Sequence, residues 1–564
     1  MNNIFEKIRE QIIQVMKDAF SICEGKGLLP AIDLPEIFTE VPKQREFGDF
    51  STNIAMQVAK QAKMPPRKIA ELLVSEIKTD NTYINKAEVA GPGFINFYLN
   101  SGWLYDTLRL IQDKKEKYGE VDIGKGIKVN VEFVSANPTG PLHMGNARGG
   151  ALGDCIASVL EKAGYDVTRE FYINDAGNQI ERFGLSLEAR YLQHFLGEDK
   201  VAFPEDGYHG EDIIDHVKSY IEVHGDALLS KTPEERRQIL VDYALPINIQ
   251  RIRDALSDYG IEYDVWFSEK SLHDSGAVKE TVDFLKEKGY TIEKEGAIWL
   301  NGEKLGLEKD EVLVRNNGVP TYMAADIAYH RNKFVTRGFD WAINLWGADH
   351  HGHVARMKAA MEPFGIDSDR LEVVLFQLVR LYRNGEIARM SKRTGKTISL
   401  NDLLEEVGRD AARFFFNMKT AGSHLDFDLD LAVKQSNENP VFYVQYAHAR
   451  ICSILRKLAE EGISLRPVEE VDLTLLNEDE EIELMRKLAE YPEEITLAAK
   501  TLEPSRITRY VMEVASSFHT FYNACRVKGE EEELMMARLM LVDCTRIVIK
   551  NVLELISISA PEKM

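Results

Sequence analysis

The segment from residue 127 to residue 173 constrains the fold more than any other part of the chain. Apolar and polar residues alternate from Ile127 to Phe133, which predicts a β-strand. A loop rich in proline and glycine follows at 135–142, and then come a helical pattern and a second strand pattern. This order predicts a βαβ unit, which belongs to a parallel sheet, and open parallel sheets bind ligands at the carboxyl ends of their strands.

The remaining patterns predict a multidomain α/β protein. Residues 1–110 combine helical periodicity with short strands, as an α+β domain does. Residues 120–435 contain the βαβ unit and predict a domain built on a parallel sheet, with insertions at about 195–310. Residues 436–564 are almost wholly helical in pattern and predict an all-α bundle. The polar stretch 116–126 is expected to be a linker.

Composition excludes several classes of protein. The 91 acidic and 69 basic residues give a net charge of -22, which argues against a surface that binds nucleic acid everywhere. The five cysteines are widely spaced and form no C-x-x-C motif, so neither a disulfide framework nor a cysteine zinc site is expected. There is no apolar run of about 18 residues and no secretory leader pattern, so we expect a cytoplasmic protein without a membrane span.

We call residues 135–146 the first signature. His143 and Asn146 place an imidazole and an amide at the start of the predicted helix, where phosphate groups are favoured. A His-x-Gly tripeptide alone is expected about once by chance in a chain of this composition. Its position after a strand, with Gly145 and other small residues opening the helix, favours a nucleotide site because a ligand can approach the backbone.

We call residues 389–393 the second signature. Arg389, Met390, Ser391 and Lys392 form a basic loop before a predicted helix, and a charged exposed loop is the simpler interpretation of this run alone. Beside the first signature, however, Lys392 and Arg389 are suited to neutralise a pentacovalent α-phosphate and the departing pyrophosphate. Such catalysis needs positioning and electrostatics and no covalent nucleophile.

An acidic group of residues suggests the substrate. Glu132 ends the first strand, and Tyr322 and Asp326 are four residues apart, on one face of a predicted helix. Two carboxylates and an aromatic ring suit a guanidinium group. Ser135 and Asn137 lie close enough to Glu132 to hold an α-amino or carboxylate group. By spacing alone, an exposed helix with an ordinary acid and a core tyrosine is the favoured interpretation.

A histidine-rich stretch follows another strand pattern. His350, His351 and His353 suggest zinc, but adjacent residues after a strand point apart whereas zinc ligands must converge. We therefore expect no metal ligand here. Gly347 is expected to permit a close approach, with Asp349 and His350 contacting ribose or substrate.

Aromatic and basic residues interleave on a predicted helix in the C-terminal region. Tyr443, Tyr446, His448 and Arg450 are suited to stack on and pair with splayed RNA bases. A helix with a core face and a charged rim explains the same pattern equally well.

Together these segments resemble the arginyl-tRNA synthetases of class I. The resemblance covers nearly the whole chain and is carried by residues 46–50, 88–97, 131–154, 322–330, 347–353, 439–449 and 558–564. It implies an N-terminal domain that contacts the tRNA elbow, a Rossmann-type catalytic domain and a helical bundle that binds the anticodon. It also implies ATP with Mg²⁺, arginine and tRNA(Arg) as ligands, no structural zinc, a monomer, and activation that depends on bound tRNA.

The resemblance also assigns roles to residues. It implies catalytic roles for His143, Asn146 and Lys392. Further ATP contacts are implied for Gly145, Gly347, Asp349, His350, Arg389, Met390 and Ser391. Arginine binding is implied for Glu132, Ser135, Asn137, His143, Tyr322, Asp326 and His350, and tRNA binding for Tyr443, Tyr446 and Arg450.

The chain departs from the family pattern at both signatures. Asn146 stands where the first signature usually ends in His, so an amide that carries no charge replaces an imidazole. Arg389 and Arg393 stand where Lys and Ser are commoner in the second signature. Lys392 is retained, which supports activity.

Three alternatives predict different sequences. A non-catalytic tRNA-binding paralogue is expected to lose Lys392 or His143, and both are present. A free-standing adenylyltransferase is expected to lack the C-terminal helical region. A cysteine or methionine synthetase is expected to lack the paired carboxylates and to carry cysteine-bound zinc.

Overall fold

The structure is a computed structural model that describes residues 3–388 and 398–564. The first part of the chain forms α1 (Ile4–Gly25), β1 (Phe50–Thr52), α2 (Ile54–Ala62), α3 (Pro66–Glu76), β2 (Ile84–Ala90), β3 (Phe94–Leu99) and α4 (Gly102–Lys114). The strands pair antiparallel in the order β1-β3-β2. Because Ile8, Ile12 and Met16 recur at helical spacing, α1 buries all three against this sheet and its neighbouring helices.

The middle of the chain alternates strands and helices. Its elements are β4 (Lys128–Glu132), α5 (Met144–Lys162), β5 (Asp166–Ile173), α6 (Asn178–Leu196), α7 (Glu211–His224), α8 (Pro233–Asp258), β6 (Val265–Ser268), α9 (Glu269–Asp274), α10 (Ala277–Glu287), β7 (Thr291–Lys294), β8 (Ala297–Leu300), β9 (Glu311–Val314), α11 (Tyr322–Arg331), β10 (Trp341–Gly347), α12 (His351–Ala359), β11 (Leu371–Phe376), β12 (Val379–Arg383), β13 (Glu386–Ile387), α13 (Leu400–Val407), α14 (Arg409–Asn417), β14 (Leu425–Asp428) and α15 (Leu429–Ala432).

A parallel sheet in the order β11-β10-β4-β5-β6 lies at the centre of the molecule. From β4 the chain continues outward to β5 and β6 on one side, whereas β10 and β11 lie on the other. The direction of winding therefore changes between β4 and β10. A crevice opens at the carboxyl ends of these two strands, which is where open α/β sheets bind ligands.

The predicted βαβ unit is present, and one glycine explains its close packing. A β-carbon at Gly153 on α5 would lie 2.2 Å from the ring of Phe133, which directly follows β4. Because only glycine fits there, α5 lies directly on the sheet. The start of α5 is thereby held at the edge of the crevice.

The expectation that residues 195–310 are largely an insertion is wrong in part. β6 lies within this range and pairs with β5 from Glu170–Val265 to Ile173–Ser268, so it is a strand of the central sheet. The second half of α8 also packs in the main core through Ile252 and Leu256. The remainder does form separate units, since α6, α7 and α8 share their own core and β7-β8-β9 is a separate antiparallel sheet.

The C-terminal part contains the helices α16 (Pro440–Glu460), α17 (Asp479–Ala489), α18 (Tyr491–Thr501), α19 (Ser505–Ala524) and α20 (Glu532–Leu555). The expected linker at 116–126 is packed against them: the fully buried Tyr118 donates its hydroxyl to Leu488 O (2.9 Å). The hydrophobic core is continuous from α1 through the parallel sheet to α20. In the part of the chain that the structure describes, no helix has the length and apolar character needed to cross a membrane.

Candidate active site

A strained turn after β4 shapes the crevice. Val134 and Ser135 have φ values of +68° and +41°, and Ser135 N donates to Phe133 O (3.0 Å), which closes a γ-turn around Val134. A β-branched residue at positive φ is an outlier, and such strain costs about 1–3 kcal/mol per residue. The turn directs the Ser135 hydroxyl back to Glu132 Oε1 (3.0 Å). Strain is thus located beside a candidate substrate ligand.

Glu132, the last residue of β4, is buried and already has charged and polar partners. Lys333 Nζ donates to Glu132 Oε2 (2.7 Å) and to Asn344 Oδ1 (2.9 Å). Lys333 has no exposed side-chain area and lies in a π-helical turn, Asn332–Thr336, directly after α11. Ser135, which holds the other oxygen of Glu132, accepts from Tyr172 N (3.1 Å). The sequence analysis did not identify Lys333, because a lysine near a helix end is normally a surface residue.

Asp326 faces the crevice from α11 with a histidine partner. His353 Nε2 lies 3.2 Å from Asp326 Oδ2, and 31% of the Asp326 side chain remains exposed. Burial raises the pKa of Asp326, and the neighbouring His353 opposes that rise. Tyr322 also lies on α11, as its spacing predicts, but it is 75% exposed at the first turn of the helix. Asp326 is thus within reach of a cationic ligand, and Tyr322 lies at the entrance.

Glu269 is a third carboxyl at this site, and the sequence analysis missed it. It is buried at the start of α9 and lines a cavity of about 480 Å³ together with Tyr322, Asn174 and His273. Burial chiefly raises the pKa of Glu269, to about 7; the adjacent Tyr172 hydroxyl lowers it and the charge of Asp326 raises it further.

The sequence held one indication of Glu269. It directly follows β6, so its position at the carboxyl edge of the sheet becomes evident once β6 is recognised as a sheet strand. The Asn174 amide lies 3.1 Å from Glu269 Oε2 and 3.2 Å from the amide of Asn137. Asn137 therefore lies in the same cluster of side chains as Asn174 and Glu269.

The first signature begins α5 as a capping box. His143 is the N-cap and its Nδ1 accepts from Gly145 N (3.2 Å), while Asn146 Oδ1 accepts from His143 N (3.0 Å). Desolvation lowers the pKa of His143, which favours the neutral form of the ring. Because Nδ1 accepts, the proton lies on Nε2, where it is available to an anionic ligand. Asn146 is engaged with its own helix.

The C-terminal flank of the second signature lies against the first signature. Ser399 pairs with His143 in an antiparallel bridge, and Leu400 N donates to Leu142 O (2.9 Å). The second signature itself, with Arg389, Met390, Ser391 and Lys392, lies outside the described residues. The first signature is therefore adjacent to the described chain at Ser399 and Leu400.

A buried arginine fixes the base of this half of the crevice. Arg148 on α5 is fully buried and donates to Gln377 O (2.6 Å), between β11 and β12, and to Thr420 O (3.0 Å), after α14. These bonds join α5 to the connection between β11 and β12 and to the segment between α14 and β14. The backbone framework of the nucleotide side is thus fixed.

The stretch after β10 is open to solvent. Asp349 and His350 are exposed, with 3.5 Å between Asp349 Oδ2 and His350 Nε2. In the described ranges, 3–388 and 398–564, no three His, Cys, Asp or Glu side chains are arranged to hold a metal ion. Gly347 is the last residue of β10, so these residues project from the same edge of the sheet as Glu132.

The C-terminal candidates lie apart from this crevice. On α16, Tyr443 and Tyr446 are half-buried, with ring centroids 4.9 Å and 6.2 Å from His519 of α19. The Arg450 guanidinium lies 4.4 Å from the ring centroid of Tyr522. His448 is buried and bonds to Pro561 O (2.9 Å), so it has a core role. The helix therefore has both a core face and a partly open aromatic edge.

Comparison with known families identifies the class of this fold. The chain matches the sequence models of the arginyl tRNA synthetase N-terminal domain at residues 6–99, the class I (R) tRNA synthetase catalytic domain at 107–421 and the DALR anticodon binding domain at 444–564. The parallel sheet, its crevice and the helical C-terminal part are those of a class I aminoacyl-tRNA synthetase.

Comparison with individual relatives shows which member of this class the chain resembles. The chain is 69% identical over 564 residues to the arginine–tRNA ligase of Acetivibrio thermocellus and 65% identical to that of Ruminiclostridium cellulolyticum, with all of both chains covered in each comparison. The structure of Thermus thermophilus arginyl-tRNA synthetase has the same fold, with a TM-score of 0.72 at 22% identity over 98% of this chain and 100% of that one. The chain belongs to the arginyl-tRNA synthetases and is an arginine–tRNA ligase. The comparisons support this catalytic interpretation over that of a non-catalytic tRNA-binding paralogue.

Proposed function

We propose that the crevice activates L-arginine with ATP and Mg²⁺ and then transfers it to the 3′ end of tRNA(Arg). The arginine carboxylate attacks the α-phosphorus and the bond to pyrophosphate breaks, which gives arginyl-adenylate and free pyrophosphate. A ribose hydroxyl at the tRNA end then attacks the carbonyl carbon, loses its proton and displaces AMP. No covalent bond to the protein is needed, so the residues act by positioning and charge.

The observation that carries this proposal is the convergence of carboxyls beside the first signature. Asp326 and Glu269 lie at the carboxyl edge of the sheet, where neither forms an ion pair with a lysine or arginine among the described residues. Their side-chain partners in these contacts are His353 at 3.2 Å and His273 at 3.7 Å. We assign the guanidinium to these two carboxyls, with Tyr322 closing over it, since bidentate bonds and stacking suit a planar cation.

The other arginine contacts follow from the same geometry. Glu132 is fixed by Lys333 and Ser135 and therefore receives polar groups of the substrate in a defined position. Asn137 and Ser135 lie beside it for the α-amino or carboxylate group. We place His143 and His350 where the arginine carboxylate meets the α-phosphate.

The nucleotide side uses exposed groups on a fixed backbone. We propose that His143 donates from Nε2 to a phosphate oxygen, while Gly145 allows the phosphates close to the positive end of α5. Asn146 acts through the capping box. Gly347, Asp349 and His350 contact the ribose, and the second signature, Arg389, Met390, Ser391 and Lys392, covers the triphosphate, with Lys392 stabilising the transition state.

The tRNA is proposed to contact the open edge of α16 through Tyr443, Tyr446 and Arg450. Half-buried rings beside a guanidinium suit stacking on unpaired bases. We place the reaction in the cytoplasm, where a reducing environment keeps the five free cysteines as thiols. From the family resemblance we also expect a monomer.

The test of the whole proposal is aminoacylation of total tRNA with each of the twenty amino acids in turn, with a tRNA-free control for activation. We expect charging with arginine alone. Equal charging with lysine, or with citrulline as a neutral analogue of arginine, would show that the carboxyls do not select the guanidinium.

A further inference from the structure

A lysine in the middle of the molecule has surroundings that a structural role alone does not explain. Lys333 is fully buried, and its Nζ is shared by Glu132 Oε2 (2.7 Å), at the end of β4, and Asn344 Oδ1 (2.9 Å), on the neighbouring strand β10. A buried ammonium is expensive and is kept only where its partners are well placed. Its π-helical turn, Asn332–Thr336, is a rare conformation that is frequent at functional sites.

The buried charges around Lys333 form two ion pairs that lie close together. Glu170 on β5 is fully buried; it accepts from both Arg337 terminal nitrogens and from the Tyr329 hydroxyl. Lys333 is 3.9 Å from Glu170 but 2.7 Å from Glu132. Arg337 therefore balances Glu170, and Lys333 balances Glu132. Glu132 ends β4 at the crevice, whereas β5 continues for three residues beyond Glu170.

This pairing changes the charge that the crevice presents to a substrate. With Glu132 neutralised, Asp326 and Glu269 remain to attract a cation. Glu132 has one oxygen held by Lys333 and the other by Ser135, so the side chain cannot turn towards the guanidinium. The remaining lone pairs of the Glu132 carboxylate can therefore accept hydrogen bonds only from substrate groups that lie in one defined position.

We propose that Lys333 is a positioning residue that determines specificity for arginine by fixing and neutralising Glu132. The proposal rests on the arginine-binding role given above to Asp326, Glu269 and Glu132. Without Lys333, an uncompensated carboxylate would rearrange in the crevice, and the arginine site would lose its alignment. A misplacement of about 1 Å at a reacting centre costs up to roughly 10²-fold.

The test is a Lys333→Met substitution, which keeps the volume of the side chain and removes the charge. We expect the KM for arginine to rise at least about tenfold, with the KM for ATP unchanged and a smaller effect on kcat. An unchanged or lowered arginine KM would overturn the proposal, as would an equal rise in the KM for both substrates.

Arg337→Met is the matched control, because it breaks the neighbouring ion pair with Glu170 and leaves both partners of Glu132 in place. We expect a comparable loss of thermal stability but an arginine KM within about twofold of the wild type. If both variants raise the arginine KM equally, the effect is one of buried charge in general, and the proposal fails.

A double variant keeps the test decisive if Lys333→Met folds poorly. Lys333→Met combined with Glu132→Gln removes both charges and restores the balance. We expect its arginine KM to be no higher than that of Glu132→Gln alone, whereas multiplied effects would show that Lys333 does not act through Glu132. Selective arginine charging by the wild type together with a negative result here would reject this inference and leave the proposed function intact.

Discussion

The two halves of the crevice differ in how far they are organised without substrate. On the arginine side, Glu132 and Asp326 are held by Lys333 and His353, and Glu269 is buried beside them. On the nucleotide side, His143 and Asp349 are exposed, and the His143 ring bonds to its own helix. The side proposed to bind arginine is thus preformed. The side proposed to bind ATP offers a fixed backbone with exposed side chains that ATP would engage.

Backbone strain is also present beside Glu132. The γ-turn at Val134 places two consecutive residues at positive φ, directly after the strand that ends in Glu132. Such strain persists where the surroundings determine it, and here the buried pair with Lys333 and the bond to Tyr172 N supply that support. Preorganisation of the arginine side is therefore maintained at the expense of local stability.

The largest expected effect is a loss of the rate of adenylate formation, from a substitution on the nucleotide side of the crevice alone. Lys392→Ala is expected to slow adenylate formation at least ~10²-fold, the usual scale for one lost transition-state donor. Because the arginine side is preformed, the KM for arginine is expected to stay within about twofold. Pyrophosphate exchange measures the rate, with Lys434→Ala, an exposed lysine paired with Glu438, as the control. Exchange at the wild-type rate would remove Lys392 from catalysis.

A smaller effect is expected on the KM for arginine, from a substitution on the arginine side of the crevice. Asp326→Ala is expected to raise the arginine KM about 30-fold or more, as truncating one member of a charged contact costs some 2–5 kcal/mol, and to leave the KM for ATP unchanged. Steady-state kinetics with each substrate varied in turn measure both constants. The exposed Asp274, at the end of α9, supplies the control Asp274→Ala. An arginine KM that does not move would place the guanidinium elsewhere.

The raised pKa of Glu269, about 7, gives the arginine side a pH dependence. Below that value the carboxyl holds a proton that a cationic substrate must displace, so the arginine KM falls as pH rises and levels off above pH 7. The slope approaches roughly tenfold per pH unit below about 7. Glu269→Gln is expected to flatten the profile between pH 5.5 and 8.5, and Glu287→Gln, on the exposed end of α10, to leave it as in the wild type. A slope that survives Glu269→Gln belongs to another group.

The smallest effect separates capping from ATP contact at Asn146. Asn146→Ala removes the acceptor for His143 N and is expected to speed amide exchange in the first turn of α5 about fivefold, or about 1 kcal/mol. Asn146→Asp keeps that acceptor but adds charge, so exchange stays slow while the KM for ATP rises severalfold. If Asn146→Asp leaves ATP binding unchanged, the phosphates do not approach the start of α5.

Regular patterns made much of the fold predictable. The alternation before Phe133, the small residues of α5 and the glycine that ends it specify the βαβ unit, because each level of structure favours the same arrangement. β6 has only four residues, all half-buried, and a pattern of that length resembles many loops. Because the sequence analysis did not predict β6, it also missed Glu269, which directly follows that strand.

The site was predictable where residues are close in sequence and not where distant charges meet. Glu132 and Ser135 are three positions apart, and their contact follows from the turn between them. Lys333 lies 201 positions from Glu132 in the sequence. The periodicity of the sequence does not predict that α11 is followed by a π-helical turn whose lysine points into the protein. The capping function of Asn146, in contrast, follows from its spacing to His143.

The central claim is that the arginine side is formed before ATP binds, with the guanidinium between Asp326 and Glu269. A crystal structure of the protein with L-arginine alone tests it most directly. The account predicts the guanidinium in contact with both carboxyls, Tyr322 over its face, and the 2.7 Å bond between Lys333 Nζ and Glu132 unchanged. A guanidinium bound away from Asp326 and Glu269, or one that has displaced Lys333 from Glu132, would contradict it.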